Sequence, residues 1–245
     1  MRLSTDSTAL ITGASRGLGL EIARLLARRG TNLILTARGA KALDQAAQEL
    51  NKDTAVLAIP GDVADPTHSQ RLVVAGQERF GQIDILVNNA STIGLSPMPR
   101  LESYPLDALT EVFQVNTIAP LHLMQLVLPD MQRREEGVIV NITSDAALEA
   151  YPGWGGYGAS KAALEHLSRV LAAEVAGTRV RIYTVDPGDM NTQMHRDAEP
   201  GEDLSHLPGA EVSAPAIVRL IEHETTPFRR VVALMPVVTV SGGQR

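Results

Sequence analysis

The sequence contains no cysteine, which excludes disulfide bonds, iron–sulfur clusters and thiolate nucleophiles. Its longest apolar run, residues 231–240, contains a proline and is too short to span a bilayer, so we expect no membrane-spanning segment. No run of Lys and Arg is long enough to bind nucleic acid, and the formal net charge is −6. The six histidines lack the spacing of metal ligands, and we assign no metal.

The N-terminal residues also lack the pattern of a signal peptide, because Asp6 interrupts them and a glycine turn follows at Gly13. Together with the missing cysteines, this favours a reducing cytoplasm as the location. The chain has 245 residues, of which 44% are hydrophobic, and its Gly and Pro residues are scattered. These features predict a single domain over residues 1–245.

Short apolar runs alternate with helical patterns along the chain. The predicted strands are 8–12, 32–36, 54–60, 83–89, 137–144, 180–188 and 230–234. The predicted helices are 17–30, 40–50, 66–80, 106–134, 157–176 and 214–222. The fourth helix should bend near Pro120 and end near Pro129. Near-continuous apolar strands are typical of a parallel sheet covered on both faces, so we predict a doubly wound α/β sheet of about seven strands, the Rossmann arrangement.

Ligands of such a sheet bind beyond the carboxyl ends of its strands. We therefore expect six segments to share one edge: 12–19, 36–38, 61–63, 88–94, 141–145 and 186–192. The site should lie along this edge.

The segment after the first strand reads TGASRGLG, residues 12–19. Gly13 allows a tight turn, Gly17 lets the backbone approach a pyrophosphate, and Gly19 allows close packing of helix against sheet. The next helix presents its positive N-terminal end to the phosphates. A glycine turn without a ligand is the alternative, but its place between the first strand and the first helix favours dinucleotide binding.

The spacing in TGASRGLG differs from GxGxxG and resembles that of the short-chain dehydrogenase/reductase family. The resemblance is carried by TGASRGLG (12–19), NNA (88–90), Asn116, Ser144, YGASK (157–161) and PGDMNT (187–192), which span most of the chain. It implies a nicotinamide cofactor and hydride transfer between that cofactor and a carbonyl or secondary alcohol. The chain departs from the family at Ser91, where a glycine often follows NNA.

The end of the second strand bears on the choice between NAD(H) and NADP(H). An acidic residue there would bind a ribose 2′-hydroxyl and repel a 2′-phosphate. This chain has Ala37 and then Arg38, and Arg16 lies in the glycine turn. Two guanidinium groups suit a phosphate, so the sequence favours NADP(H), with solvated surface arginines as the alternative.

The resemblance implies further cofactor contacts. Asp62 and Val63 resemble the pair that contacts adenine, with turn formation as the alternative for Asp62. Asn88 and Ala90 resemble the segment that lines the cofactor, and Thr192 resembles the residue that bonds the nicotinamide carboxamide. The full set of predicted cofactor-binding residues is Gly13, Ser15, Arg16, Gly17, Leu18, Gly19, Arg38, Asp62, Val63, Asn89, Ala90, Tyr157, Lys161, Pro187, Gly188 and Thr192.

Tyr157 and Lys161 are four positions apart, which places them on one face of a helix. An isolated tyrosine has a pKa near ~10. A lysine ammonium beside it lowers that pKa, and a positively charged nicotinamide ring would lower it further. We therefore predict that Tyr157 is a general acid/base tuned by Lys161, with a solvated Tyr–Lys pair as the alternative.

Two further side chains complete the predicted catalytic set. Ser144 ends the fifth strand, and its hydroxyl is placed to orient a substrate carbonyl oxygen; capping of the strand end is the alternative. Asn116 lies in the middle of a helix, where Asn is a poor helix former, which favours a local irregularity. The resemblance implies that Asn116 links the lysine to solvent through water. Asp145 is interpreted as a turn residue.

Two loops, 91–105 and 189–210, are predicted to frame a partly apolar substrate. Their candidate contacts are Leu95, Pro97, Met98, Pro99, Met190, Met194, His195, Leu204 and Leu207, with loop packing as the alternative. Trp154 is a candidate wall of the pocket. Family members are commonly dimers or tetramers built on two long helices, so the resemblance implies a homodimer or homotetramer. The tail at 235–245 is interpreted as an extra strand, an interface arm or a disordered segment.

Two other classes of protein fit parts of the pattern: a regulator on the same fold, and a different Rossmann enzyme such as a methyltransferase or an epimerase. A non-catalytic dinucleotide-binding regulator on the same fold would bind NADPH without turnover, but the complete Asn–Ser–Tyr–Lys set argues against it. A methyltransferase would not need the Tyr–Lys pair, and a sugar-nucleotide epimerase usually needs a longer C-terminal region.

Overall fold

Strands and helices alternate through residues 3–233, which are the residues that the computed structural model describes. The strands are β1 (Thr8–Thr12), β2 (Asn32–Thr36), β3 (Val56–Ala58), β4 (Ile85–Asn88), β5 (Gly137–Ile142), β6 (Val180–Asp186) and β7 (Phe228–Val232). The helices are α1 (Gly17–Ala27), α2 (Ala40–Leu50), α3 (Pro66–Phe80), α4 (Leu106–Phe113), α5 (Ala119–Arg133), α6 (Gly155–Glu174), α7 (Gln193–Ala198) and α8 (Ala210–His223). The predicted tail at 235–245 lies outside the described residues.

The strands form one seven-stranded sheet in the order β3-β2-β1-β4-β5-β6-β7. Every pairing in it is parallel, which confirms the predicted doubly wound fold. The chain builds outward from β1 to β3 and then crosses back to place β4 on the other side of β1. The carboxyl ends of β1 and β4 therefore diverge at a topological switch point, where such sheets bind ligands.

Both faces of the sheet are buried, as the unbroken apolar strands predict. Successive side chains of a strand point to opposite faces. Ile11 and Val87 pack in the cluster that contains residues of α1 and α8, whereas their neighbours Leu10 and Leu86 pack in the cluster that contains residues of α3, α5 and α6. Within residues 3–233, no helix is long and apolar enough to cross a membrane.

The predicted helix over 106–134 is three segments. A π-helical turn at Gln114–Ile118 separates α4 from α5, so the irregularity falls around Asn116, as expected for that residue. Pro120 lies in the first turn of α5, directly after this π-helical turn. The predicted end near Pro129 is wrong: α5 continues through it to Arg133, because buried neighbours such as Leu128 and Met131 hold this face of the helix to the core.

Smaller differences occur around the predicted site. Helix α6 begins at Gly155, two residues before Tyr157. The segment 189–210, predicted as a loop, contains α7, whose first turn is capped by Thr192: its Oγ1 accepts from His195 N at 3.4 Å. Helix α8 begins at Ala210 rather than residue 214.

Candidate active site

The turn between β1 and α1 is shaped for close backbone approach. Gly13 and Gly17 have φ angles of 65° and 56°, in the region that favours glycine. A Cβ on Gly19 would lie 2.5 Å from the Gly13 carbonyl oxygen and 2.6 Å from Asn89 Nδ2, so only glycine fits there. Helix α1 begins without a side-chain cap, which leaves the amides of its first turn free for an anion.

Residues after β4 hold this turn. Asn89 Nδ2 donates to the Thr12 carbonyl at 2.9 Å and to the Gly13 carbonyl at 3.2 Å. Thr12 Oγ1 accepts from the amides of Asn89 and Ala90 at 3.0 and 2.9 Å. These bonds join the end of β1 and the glycine turn to the segment after β4, at the point where the two connections diverge. Asn88 points away from it, because its amide is buried and donates to Asn141 Oδ1 at 2.8 Å.

A cavity of about 1100 Å³ runs along the carboxyl edge of the sheet. It brings together Gly13, Ser15, Arg16, Gly17, Leu18, Arg38, Asp62, Val63, Asn89, Ala90, Ser144, Tyr157, Lys161, Pro187, Gly188 and Thr192. Three predicted site residues, Gly19, Asn88 and Asn116, do not line it. Gly19 instead packs beneath the turn, and Asn116 is fully buried behind the wall. Among residues 3–233, no group of three or more His, Asp or Glu side chains is arranged to hold a metal ion.

One end of the cavity carries positive charge. Arg16 and Arg38 are exposed there, and Ala37 takes the position of the acidic residue that would select NAD(H). Asp62 lines the same end, and its Oδ1 also accepts from Ala64 N at 2.9 Å. Asp62 thus forms the turn that was its alternative role, and it also lines the cavity.

The other end holds the Tyr–Lys pair. Glycines let the start of α6 approach its neighbours, since a Cβ on Gly158 would lie 2.4 Å from the Ala146 carbonyl oxygen. Tyr157 and Lys161 are 8% and 2% exposed. Lys161 Nζ lies 5.5 Å from the centroid of the Tyr157 ring and donates to the Ile142 carbonyl at 2.8 Å. The pair is thus an inner wall of the cavity rather than a solvated surface pair.

Burial dominates the electrostatics of this pair. It raises the pKa of Tyr157 well above its ordinary value, although contacts with the hydroxyls of Ser144 and Ser91 act to lower it. Burial also lowers the pKa of Lys161 to about 7. The direction for Tyr157 is opposite to the sequence prediction. The physical reason is that desolvation disfavours the phenolate of Tyr157 as well as the ammonium of Lys161.

Ser144 belongs to a chain of polar groups at the cavity wall. Its Oγ donates to Asp145 Oδ1 at 2.8 Å, and Tyr151 donates to Asp145 Oδ2 at 2.9 Å. Burial acts to raise the pKa of the Asp145 carboxyl, but the hydrogen bonds from Ser144, Tyr151 and the Ala146 amide together lower it. Asp145 is thus ionised, and its carboxylate accepts the one hydrogen bond that the Ser144 hydroxyl can donate. The sequence interpretation of Asp145 as only a turn residue misses this contact.

Asn116 uses all the hydrogen-bonding capacity of its side-chain amide. Its Oδ1 accepts from Ser91 Oγ at 3.0 Å and from Thr92 N at 2.9 Å. Its Nδ2 donates to the Thr92 carbonyl at 2.8 Å and to Ser160 Oγ at 3.0 Å. The amide therefore fixes the segment after β4 against α6, and it leaves no side-chain group to bind a water chain.

An ion pair lies behind the residues that follow β5. Glu165, on α6 one turn beyond Lys161, accepts from Arg230 Nε at 3.0 Å and from Thr143 Oγ1 at 2.7 Å. Arg230, on β7, also donates to the Ser144 carbonyl at 3.3 Å. Nothing in the local sequence pattern indicates this network, because Arg230 is 65 residues from Glu165.

The substrate half of the cavity has an aromatic wall. Trp154 packs edge-on against Tyr157 with ring centroids 5.8 Å apart, and against Tyr151 at 6.4 Å. Of the predicted loop contacts, the cavity is lined by Met190, Met194, His195, Leu204 and Leu207, but not by Leu95, Pro97, Met98 or Pro99. From the first loop, the lining residues are Ser91, Thr92 and Ile93. The wall is thus mostly built by the segment 189–210 and the residues before α6.

Sequence comparison identifies relatives with named activities. The 2-(R)-hydroxypropyl-CoM dehydrogenase of Xanthobacter autotrophicus is 37% identical over 188 residues, which cover 76% of this chain and 75% of that protein. The ketoacyl reductase HetN of Nostoc sp. is 34% identical over 229 residues, which cover 92% and 79%.

Solved structures share the fold. An oxidoreductase from E. coli superposes with a TM-score of 0.86 at 28% identity, covering 95% of this chain and 96% of that one. An alcohol dehydrogenase from Thermococcus sibiricus, complexed with 5-hydroxy-NADP, gives 0.81 at 30% identity, covering 92% and 95%. A xylitol dehydrogenase bound to NAD+ gives 0.83 at 22% identity, covering 95% and 98%, and shares the fold alone.

The family model described as short chain dehydrogenase matches residues 7–203. That range contains the glycine turn, the Tyr–Lys pair and the segment after β6, which the fold brings to one cavity. The chain therefore belongs to the short-chain dehydrogenase family.

Proposed function

We propose that this protein is an NADP(H)-dependent oxidoreductase that interconverts a carbonyl compound and a secondary alcohol. The observation that carries the proposal is the buried Tyr157–Lys161 pair at one end of a cavity whose other end is a glycine turn. At Gly17 an added Cβ would meet only Thr192 Cγ2, at 3.9 Å, so the backbone there is open to a pyrophosphate. The Tyr157–Lys161 pair supplies a proton donor where the substrate would lie.

The residues present fit a nicotinamide dinucleotide. The uncapped start of α1 and Gly17 would hold its pyrophosphate, Val63 and Asp62 its adenine, and Thr192 its carboxamide. Lys161 would hold the nicotinamide ribose with the N–H groups that Ile142 does not use. When bound, the reduced cofactor supplies the hydride for the carbonyl carbon.

Tyr157 handles the proton. In the reduction direction its hydroxyl donates to the substrate oxygen, and burial suits this role because it keeps the phenol protonated. Ser144 would orient the same oxygen, but its hydroxyl donates its hydrogen bond to Asp145. Ser144 must therefore turn from Asp145 toward the substrate to stabilise the developing oxyanion. In the oxidation direction Tyr157 accepts the proton from the alcohol.

The preference for NADP(H) rests on Arg16 and Arg38, with Ala37 in place of an acid. Structures with this fold are known with 5-hydroxy-NADP and with NAD+, so the fold alone does not select between them. Two exposed guanidinium groups at the adenosine end favour a 2′-phosphate. We further propose that residues 1–245 act as one domain, that the protein forms a homodimer or homotetramer, and that it works in the cytoplasm.

The test is turnover of the wild-type protein and of Tyr157→Phe. NADPH oxidation is followed against a panel of ketones, and NADP+ reduction against the matching alcohols, with NADH and NAD+ run in parallel. We expect turnover with a clear preference for NADPH, and loss of turnover by about 10²-fold or more in Tyr157→Phe, because the phenyl ring keeps the packing but lacks the proton.

NADPH binding to both proteins, measured by fluorescence titration, is the control. Near-equal affinity shows that the variant has lost chemistry and not the cofactor site. Retained turnover in Tyr157→Phe contradicts the proposed mechanism. Tight NADPH binding without turnover of any panel member supports the regulator instead, and a preference for NADH contradicts the role of the two arginines.

A further inference from the structure

The hydroxyl of Ser144 and the carboxylate of Asp145 lie side by side on the wall of the cavity. Ser144 Oγ donates to Asp145 Oδ1 at 2.8 Å. A serine hydroxyl has a single proton to donate, so Ser144 cannot keep this bond and also donate to a substrate oxygen. In the proposed reaction, Asp145 therefore loses a hydrogen bond whenever the Ser144 hydroxyl turns to the substrate.

The carboxylate of Asp145 is held in place by other donors. Its Oδ1 also accepts from Ala146 N at 2.8 Å, and its Oδ2 accepts from the Tyr151 hydroxyl at 2.9 Å. These two bonds do not involve Ser144, so they stay when the Ser144 hydroxyl turns. A carboxylate oxygen can accept two hydrogen bonds. Oδ1 is then left with one accepting position open, at the point where Ser144 had donated.

The charge of Asp145 makes the lost bond significant. Hydrogen bonds to ionised groups are roughly twice as strong as those between neutral groups. Ser144 would exchange such a bond for one to a neutral carbonyl oxygen, so a ketone without another polar group gains little from it. A ketone that carries its own donor beside the carbonyl avoids this loss, because that donor can replace Ser144 on Asp145 Oδ1.

The distance between the two protein atoms indicates where on the substrate this donor lies. Ser144 Oγ and Asp145 Oδ1 are 2.8 Å apart. Two oxygens on adjacent carbon atoms are separated by a similar distance when they lie on the same side of the carbon–carbon bond. A carbonyl oxygen and a hydroxyl on the next carbon can therefore meet Ser144 and Asp145 together. A hydroxyl further along the substrate would have to fold back to reach Oδ1.

The wall around this polar pair is apolar. Trp154 packs edge-on against Tyr157 at 5.8 Å, and Ile93, Met194 and Ala198 belong to the same cluster. A substrate that fits this wall is polar at its carbonyl and the adjacent carbon and apolar beyond them. The donor that Asp145 loses is a neutral hydroxyl, which a neutral hydroxyl of the substrate replaces like for like.

We propose that Asp145 determines the substrate specificity of the protein and that the substrates are α-hydroxy ketones, which are reduced to vicinal diols. Ser144 donates to the carbonyl oxygen, and the α-hydroxyl of the substrate donates to Asp145 Oδ1. The carbonyl carbon gains the hydride of the reduced cofactor and the carbonyl oxygen gains the proton of Tyr157, while the α-hydroxyl is unchanged. This inference rests on the proposed function, because it assumes that Ser144 and Tyr157 act on the carbonyl oxygen.

The test compares kcat/KM with NADPH for acetophenone and its α-hydroxy and α-methoxy derivatives, and for acetone, hydroxyacetone and methoxyacetone. A methoxy group withdraws electrons much as a hydroxyl does but cannot donate a hydrogen bond. We expect the wild type to prefer the hydroxy over the methoxy ketone by about 10- to 100-fold, as for a hydrogen bond to a charged group. A ratio near one overturns the inference. A preference for α-aminoacetophenone over the α-hydroxy ketone also overturns it, because positive charge is then recognised.

Variants of Asp145 separate the hydrogen bond from the size of the methoxy group. Asp145→Ala removes the acceptor and should bring the ratio of hydroxy to methoxy ketone close to one. Asp145→Asn keeps an oxygen without the charge and should give an intermediate ratio. The matched control is Asp189→Asn, which removes an exposed carboxylate from the same cavity and should keep the ratio of the wild type.

The Tm and NADPH titration of each variant show that it is folded and binds the cofactor. If Asp145→Ala does not fold, Asp145→Asn decides, and an unchanged ratio in that variant overturns the inference. A wild-type ratio in Asp145→Ala, or an equal fall in Asp189→Asn, overturns it as well.

The outcomes separate the two proposals. If Tyr157→Phe stays active, the proposed function fails and this inference fails with it. If Tyr157→Phe is inactive but the wild type reduces hydroxy and methoxy ketones equally, the proposed function stands and Asp145 has no such role. Turnover of other ketones, without turnover of either α-hydroxy ketone, has the same meaning.

Discussion

Replacement of Lys161 by methionine should change how the stability of the protein depends on pH. The ammonium is almost completely buried, and burial lowers its pKa from 10.5 to about 7. Between these two values the unfolded chain binds a proton that the folded protein does not. Stability therefore rises with pH across this window, and it is lowest below about pH 7, where the folded protein must carry the buried charge.

The magnitude follows from the two pKa values. Each unit of difference corresponds to about 1.4 kcal/mol, so the fully developed penalty below pH 7 is on the order of 5 kcal/mol. Integration between the two titrations gives a gain of about 3 kcal/mol in the free energy of unfolding from about pH 7 to about pH 9.5. In Lys161→Met this contribution disappears. The absolute gain in stability is smaller, since the Ile142 carbonyl loses its partner at a cost of about 1–3 kcal/mol.

The assay is urea unfolding of wild type and Lys161→Met at several pH values from about 6.5 to about 9.5. The quantity to compare is the difference between the two proteins at each pH, because every other titrating group contributes equally to both. We expect this difference to change by about 3 kcal/mol over the range. The free energy of unfolding of the wild type should rise relative to that of the variant as the pH increases. Parallel curves would show that Lys161 keeps an ordinary pKa in the folded protein.

Two further perturbations test the packing that shapes the site. Gly19→Ala places a Cβ 2.5 Å from the Gly13 carbonyl oxygen, so we expect a lower Tm and weaker NADPH binding, whereas Gly39→Ala meets no atom within 4 Å and should leave the Tm nearly unchanged. Glu165→Ala removes the nearer carboxylate of Arg230 and leaves it with Asp186, whose Oδ2 lies 3.8 Å from Nη2. The lost hydrogen bonds should lower the free energy of unfolding by about 1–3 kcal/mol, as measured in urea; a loss below about 0.5 kcal/mol would show that the pair behaves as a surface salt bridge.

Much of the fold was predictable because it depends on local patterns. Apolar runs of strand length, separated by helical periodicity, predict a parallel sheet, and the strand order follows the doubly wound arrangement. The capped start of α3 was also predictable, since Asp65 accepts from Thr67 N at 2.9 Å and Pro66 follows it. Pro129 was misleading, because a local rule about proline was overridden by burial of the surrounding helix face.

The candidate site was predictable where its chemistry is encoded by spacing. The turn at 12–19 and the Tyr157–Lys161 pair are short motifs. The four-residue spacing of Tyr157 and Lys161 places both side chains on one face of α6. Contacts between distant segments left no such signal. Ser91 meets Asn116 25 residues away, and Arg230 meets Glu165 65 residues away.

The sequence by itself determined which residues carry the proposed chemistry and at which edge of the sheet they meet, since strand direction and motif spacing are local properties. Only the tertiary structure decided the environment of those residues. Burial, which depends on every element packed around α6, reverses the expected direction of the Tyr157 pKa and removes much of the charge of Lys161. The fold also brings the Ser91 hydroxyl to Asn116 Oδ1, because these two residues are 25 positions apart in the chain and meet only in three dimensions.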